Sequence, residues 1–292
     1  MASDLPGALA PLLTPQGHLR LAAEAELPAL PATVHERILT AFSRGAGHGL
    51  LQLGAVEVGS ILPPAFAWWR DFAAHYVTAL CTTTEAAEFT IAAPDDAALG
   101  AMIASAPPMT GGEYLTPAVL ATLWADLDAA LRAQLAASGQ SLQEFLKALH
   151  PAWNLVGRVY FNLAENRQDL DAPFAFLATY TPRLSARGNA QHLPLKRALA
   201  EYAGSANKAQ LLSLLLPVQR AAEQCDWLRD MVVAGEIYHP LRWTPAEAWC
   251  LLKDHHLLET AGIRVRAPGG WPAGRPTRPK VTTVVGLSLI HI

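Results

Sequence analysis

The chain has 292 residues, of which 51% are hydrophobic and 16% charged, and a formal net charge of −3. That length supports one large domain or two ordinary ones, and the composition excludes wholesale disorder. The longest apolar runs, such as LLSLLLPV, are far too short to span a bilayer, and no apolar segment follows a basic N-terminus, so a cytoplasmic protein without a membrane partner is expected. Three widely spaced cysteines, Cys81, Cys225 and Cys250, form no disulfide framework and read as small buried apolar side chains.

In chain order, residues 1–45 carry Pro6, Pro11, Pro15, Pro28 and Pro31, which interrupt every long helix. They read as a loosely ordered lead-in with one short helix near Val34 to Phe42. GAGHG at 45–49 precedes the strand-like LLQLGAVEV instead of following a strand and opening a helix, so it reads as a turn and not as a phosphate loop. Pro63 and Pro64 stand at a helix start, and Trp68, Phe72, Tyr76 and Leu80 then form one apolar stripe, which is core. Thr116 and Pro117 open a second helix with Leu120, Leu123, Trp124, Leu127, Leu131 and Leu135 on one face and Gly139 past its end. SLQE at 141–144 is a capping box.

GRVYFNLAEN and PFAFLATYT alternate with a period of two. Val159, Phe161 and Leu163 share one face against Arg158, Tyr160 and Asn162, while Phe174, Phe176 and Tyr180 share one face of the second run. With the polar connector ENRQDLDAP between them they predict an antiparallel pair near 156–180. Residues 193–233 read as helical: Pro194 and Gly204 bracket a short helix, Ser205 can cap the next, and Pro217 kinks it or begins a successor. TPAE at 244–247 is a second capping box, and IRVRA and KVTTVV are strand-like. The fold class expected is α+β with helix predominating.

No Walker lysine loop, GxSxG elbow, HExxH or paired CxxC occurs. Cys250, His255 and His256 lack a second pair at zinc-site spacing and read as structural. Glu165, Asp169 and Asp171 supply carboxylates for a hydrolase reading, but on a polar loop they are ordinarily solvated. Charge is uneven. Residues 181–210 hold Arg183, Arg187, Lys196, Arg197 and Lys208 against Glu201 alone, and beyond Glu259 Arg264, Arg266, Arg275, Arg278 and Lys280 face no acidic residue. Such stripes attract phosphate backbones, or simply form a solvated face. Arg183 and Arg187, with Thr181 and Ser185, can clamp a phosphate or cap the segment that follows.

GRVYFNLAENRQ, PFAFLATYTPRLS, QHLPLKRALAEY, LLSLLLPVQRAAEQCDWLRDMV and GEIYHPLRWTPAEAWCLLKD, in this order, resemble the N-terminal, non-motor region of bacterial DEAD/DEAH-box helicases of the Swi/Snf type. LPPAFAWWRDFAAHYVTALC is similar to an earlier part of that region, so the likeness covers roughly residues 48–286. The resemblance implies a lead-in at 1–45, a helicase-associated domain at 46–233 and the opening of a second one at 234–286. It implies an accessory, non-catalytic role: a scaffold contacting nucleic acid, most readily DNA, or a protein partner. The charge imbalance of residues 181–210, taken with that role, points to Arg183, Arg187, Lys196 and Arg197 as the nucleic-acid contacts. No catalytic, metal or cofactor residue carries over; ATP and magnesium are implied only for motor domains C-terminal to it.

LSLIHI, residues 287–292, looks like the translation of CTG TCT CTT ATA CAC ATC, a transposase end sequence of sequencing libraries. The expectation is an adapter-derived tail on a truncated second domain whose strands lack partners. A genuine apolar strand ending is the alternative, and with it a self-contained interaction protein unrelated to helicases.

Overall fold

The computed structural model describes residues 8–24, 30–81, 91–203 and 208–268. Helix predominates in an α+β fold, as expected. The chain divides into two compact units, Met1–Val159 with Thr179–Gln219, and Tyr160–Ala178 with Arg220–Ile292. Among the described residues no helix is long and apolar enough to cross a membrane.

In the first unit the described part of the proline-studded lead-in holds a strand pair that was not expected. Leu9–Leu13 (β1) and Leu19–Ala23 (β2) pair antiparallel, with Pro11 opposite Leu21. A two-stranded ribbon is all edge, so the missing proline N–H costs no ladder bond. The hairpin is held from above: the Leu13 amide donates to the Thr110 carbonyl at 3.1 Å. Gly111, at φ +78°, lies so close to the Leu13 carbonyl that a Cβ there would stand 1.8 Å from its oxygen. Leu9, Leu13 and Leu19 are buried as a result. The expected short helix follows as Ala32–Ser43 (α1).

GAGHGLLQLGAV is helical where a turn and a strand were expected. Ala46–Leu51 (α2) runs into a π-helical turn, Gln52–Val56. Leu50, Leu51, Leu53 and Ala55 are all buried, and a short run apolar on every side has no period by which helix and strand can be told apart. The glycines serve packing. A Cβ on Gly47 would lie 2.1 Å from the Asp126 carbonyl oxygen, and one on Gly49 2.4 Å from the Phe42 ring.

Pro64–Cys81 (α3) buries Phe66, Trp69, Phe72, Tyr76 and Leu80, with Trp68 half-buried. Asp96–Ala104 (α4) follows. Pro117–Ser138 (α5) starts at Thr116, whose hydroxyl accepts from the Val119 amide, and ends at Gly139 with φ +65°. Phe72 and Tyr76 meet Trp124 edge-on at 5.8 and 5.3 Å, so the two long helices lock through aromatic edges. Ser141 and Glu144 form the capping box of Leu142–Leu149 (α6). The indole N–H of buried Trp153 donates to the Ala55 carbonyl of the π-helical turn at 2.8 Å.

Val159–Glu165 (β3) and Phe174–Leu184 (β4) are the expected antiparallel pair, their run given by the Thr181 amide bonding to Arg158 and the Asn166 amide bonding to Pro173. Tyr160, assigned to the outer face, is also buried, because the Arg266 guanidinium sits 4.3 Å over its ring. A further strand went unforeseen: Ala190–Pro194 (β5) pairs with the end of β4, and only its last two residues fall inside the 193–233 span read as helical. Leu195–Tyr202 (α7) and Lys208–Ala222 (α8) follow, with Pro217 inside α8. The proposed Ser205 cap lies outside the described residues.

In the second unit Asp226–Val233 (α9) precedes Leu241–Trp243 (β6), which pairs with Phe174–Phe176 of β4. Phe176 stacks on Trp243 at 4.1 Å and meets Phe161 edge-on at 5.3 Å. The capping box Thr244–Glu247 opens Pro245–Lys253 (α10), and His255–Thr260 (α11) leads to Ile263–Arg266 (β7), which joins β3. β6 and β7 therefore do not want for partners, contrary to expectation, because β3 and β4 offer them free edges. KVTTVV and LSLIHI lie outside the described residues.

Candidate nucleic-acid interface

The four basic residues singled out from sequence all lie in the first unit, along one continuous piece of chain: the end of β4, its turn into β5, and the start of α7. Arg183 is within β4 and not, as the sequence suggests, in a loop after it. The register of β4 on β5 slips between Tyr180 and Arg183. Pro182 sits in the slip, and a proline cannot donate to the ladder, so a bulge there is the natural outcome. Beyond it Arg183 faces Gln191, and its Nε donates to the Gln191 Oε1 at 3.0 Å. The guanidinium keeps its two terminal nitrogens for other acceptors.

The turn is a three-residue hairpin loop closed by a left-handed glycine, Gly188 at φ +74°. The Gly188 amide donates to the Ser185 carbonyl and the Ser185 amide to the Asn189 carbonyl, each at 2.8 Å. Arg187 occupies this loop with its side chain exposed. Its carbonyl is seated on Gly59, where a Cβ would come within 2.7 Å of the oxygen. In α7 Leu195 and Ala198 are buried, which turns Lys196 and Arg197 to solvent. Both lie in the first turn, and Pro194 gives this end no side-chain cap. Cations there oppose the helix dipole, so helix stability does not account for them.

Arg37, Arg70, Arg132, Arg167, Arg229 and Arg242 each pair with a carboxylate. Among the described residues no such pair forms at Arg183, Arg187, Lys196 or Arg197.

A cleft of about 480 Å³ adjoins this basic edge, and Arg183 lines it. Its other walls come from α3, the turn after the π-helical segment, Trp153 and the end of α7. Arg70 is buried there, its Nε donating to Asp71 Oδ1 at 3.0 Å and its Nη1 to the Ser60 carbonyl at 2.9 Å. His75 Nδ1 lies 2.6 Å from the Asp71 carbonyl, which can only accept, so the neutral ring leaves Nε2 as an acceptor. Burial pushes the Tyr202 hydroxyl above the ordinary phenol value; the Glu201 carboxylate adds to this and Arg183 opposes it. Tyr202 thus stays a donor between groups of opposite sign. These cleft residues escaped sequence reading; the only hint is the polar Arg70–Asp71 step inside an aromatic helix.

The loop carboxylates do not form a catalytic pair. Asp169 Oδ2 accepts from Arg242 Nε at 2.6 Å, and that bond with the Ala172 amide holds its carboxyl below the usual range. Glu165 and Asp171 are exposed, and none of the three lines the cleft. Burial pushes the Cys81 thiol up to about 12, away from the range of a thiolate nucleophile. Among the described residues no group of three His, Cys, Asp or Glu side chains converges as a metal site, and His255 instead lies 3.4 Å from Glu259.

Comparison with protein-family models, with curated proteins and with solved structures finds no match to this chain.

Proposed function

We propose that the chain is a non-catalytic, DNA-contacting front region of a cytoplasmic, ATP-driven translocase of the Swi/Snf type, in which ATP and magnesium belong to motor domains beyond it. The observation that carries the contact role is the set of four exposed cations on one continuous piece of chain with no carboxylate partner among the described residues. Two of them occupy a helical first turn, a placement that costs the helix and repays an approaching anion. The link to a motor rests on the resemblance of residues 48–286 alone.

The test is DNA binding by the whole chain over a range of salt concentrations. Arg183→Glu, Arg187→Glu, Lys196→Glu and Arg197→Glu together are expected to weaken binding. The slope of log affinity against log salt should also become shallower, by about 0.9 for each phosphate that is no longer neutralised. Unaltered affinity and slope would remove the contact role. DNA-stimulated ATP turnover by the chain alone would remove the accessory role.

A further inference from the structure

We infer that the cleft beside the basic edge takes one unpaired nucleotide of a DNA strand whose backbone runs along Arg183, Arg187, Lys196 and Arg197. The inference rests on the DNA-contact reading and adds to it which form of DNA the site prefers.

Continuity comes first. Arg183 belongs both to the basic edge and to the cleft wall. Arg197 and the cleft residue Glu201 are four apart on α7, so they are neighbours on one stripe of that helix. A phosphate held at Arg183 therefore brings its own base to the cleft mouth.

Size and chemistry agree with that occupant. A volume of about 480 Å³ falls in the range of roughly 300–1,000 Å³ typical of small organic ligands. Val58, Ala74, Pro182 and Leu184 offer apolar surface to the faces of a ring. Around them stand acceptors, Glu201 and the Nε2 of His75, and donors, the hydroxyls of Ser185 and Tyr202. A base edge carries donors and acceptors side by side and can use both. Arg70 and Arg183 are balanced there by Asp71 and Glu201, so a simple anion finds no net attraction, and a purely apolar ligand would strand these polar groups without partners. In a duplex the base edges are stacked and paired inside the helix, so only an unpaired nucleotide can enter such a pocket.

The experiment measures fluorescence anisotropy of the full chain with a labelled single strand of about a dozen nucleotides and with the blunt duplex made from it. The single strand is expected to bind about tenfold tighter than the duplex, since one stacked base contributes of that order. Ala74→Trp, which fills the cleft, should abolish that difference without changing duplex affinity. Glu201→Gln, at an exposed position that leaves folding intact, should change the preference among homopolymer single strands. Equal binding of the two forms overturns the inference, as does a preference that survives both substitutions. If the charge-reversed edge weakens both forms in that event, the DNA-contact reading still stands. If neither form binds, both fall.

Discussion

Two arginine-bearing regions of the first unit handle charge in opposite ways. At Glu57, which is 1% exposed, the carboxylate accepts from Arg37 Nε and Nη2, each at 2.8 Å, from Gln52 Nε2 at 2.9 Å and from Ser60 Oγ at 3.0 Å. Every acceptor position there is used for holding the π-helical turn to α1, and Ser60 in turn passes its carbonyl to Arg70. At the β4–β5 edge and the first turn of α7 the cations hold nothing of that kind. A buried charge must be satisfied by its own fold, whereas an exposed one left unpaired is free for a partner. The difference separates residues that shape this protein from residues it presents.

The strongest way to break that comparison is Glu57→Ala. It strands the Gln52 and Ser60 donors and removes the bidentate partner of Arg37, so a loss of about 3 kcal/mol is expected in denaturant unfolding. A variant as stable as the parent would mean the network does not hold the turn. Next comes Tyr76→Phe, which removes the hydroxyl that donates to Asp128 Oδ1 at 2.6 Å, beside the 2.6 Å bond from Arg132. About 1–2 kcal/mol should be lost, read from the same unfolding curves.

A subtler check uses pH. Burial pushes the Glu57 carboxyl upward, but the hydrogen bonds from Arg37, Gln52 and Ser60 outweigh it and hold the group below its ordinary value of 4.5. With the folded value depressed, the stabilisation is complete above the ordinary value and is lost as pH falls through the folded one. The gap in melting temperature between the parent and Glu57→Gln should therefore be constant near neutrality and shrink in acid below the ordinary value. The smallest effect is expected from Lys196→Ala and Arg197→Ala, each within about 0.5 kcal/mol of the parent in stability. A larger loss at either would show that α7 needs them, and the presented edge would lose its distinction.

Much of the helical scaffold is legible in sequence because its signals are local. Thr116–Pro117, Ser141–Glu144 and Thr244–Glu247 mark helix starts within four residues, and the Phe72, Tyr76 and Leu80 stripe lies within one helix. The β1–β2 ribbon is not legible, since five prolines in its neighbourhood mask a pairing that only Thr110 and Gly111 make visible. Nor is β5 legible: AQHLP has no β-branched residue and is a strand only because β4 runs on past Tyr180. The basic edge could be found as a local charge imbalance. The cleft could not, because Val58, Arg70, Trp153, Arg183 and Tyr202 converge only through folding.

The clasp of Leu13 by Thr110 and Gly111 has a consequence for biosynthesis. The ribosome releases β1 well before the segment that seats it has been made, so the leucines of that ribbon must wait without their final cover while α1 to α4 are translated. Late closure of an early segment raises the sequence separation of native contacts and slows folding. Nascent chains halted before residue 110 should therefore be protease-sensitive within β1 and β2, and chains halted well beyond α5 should not.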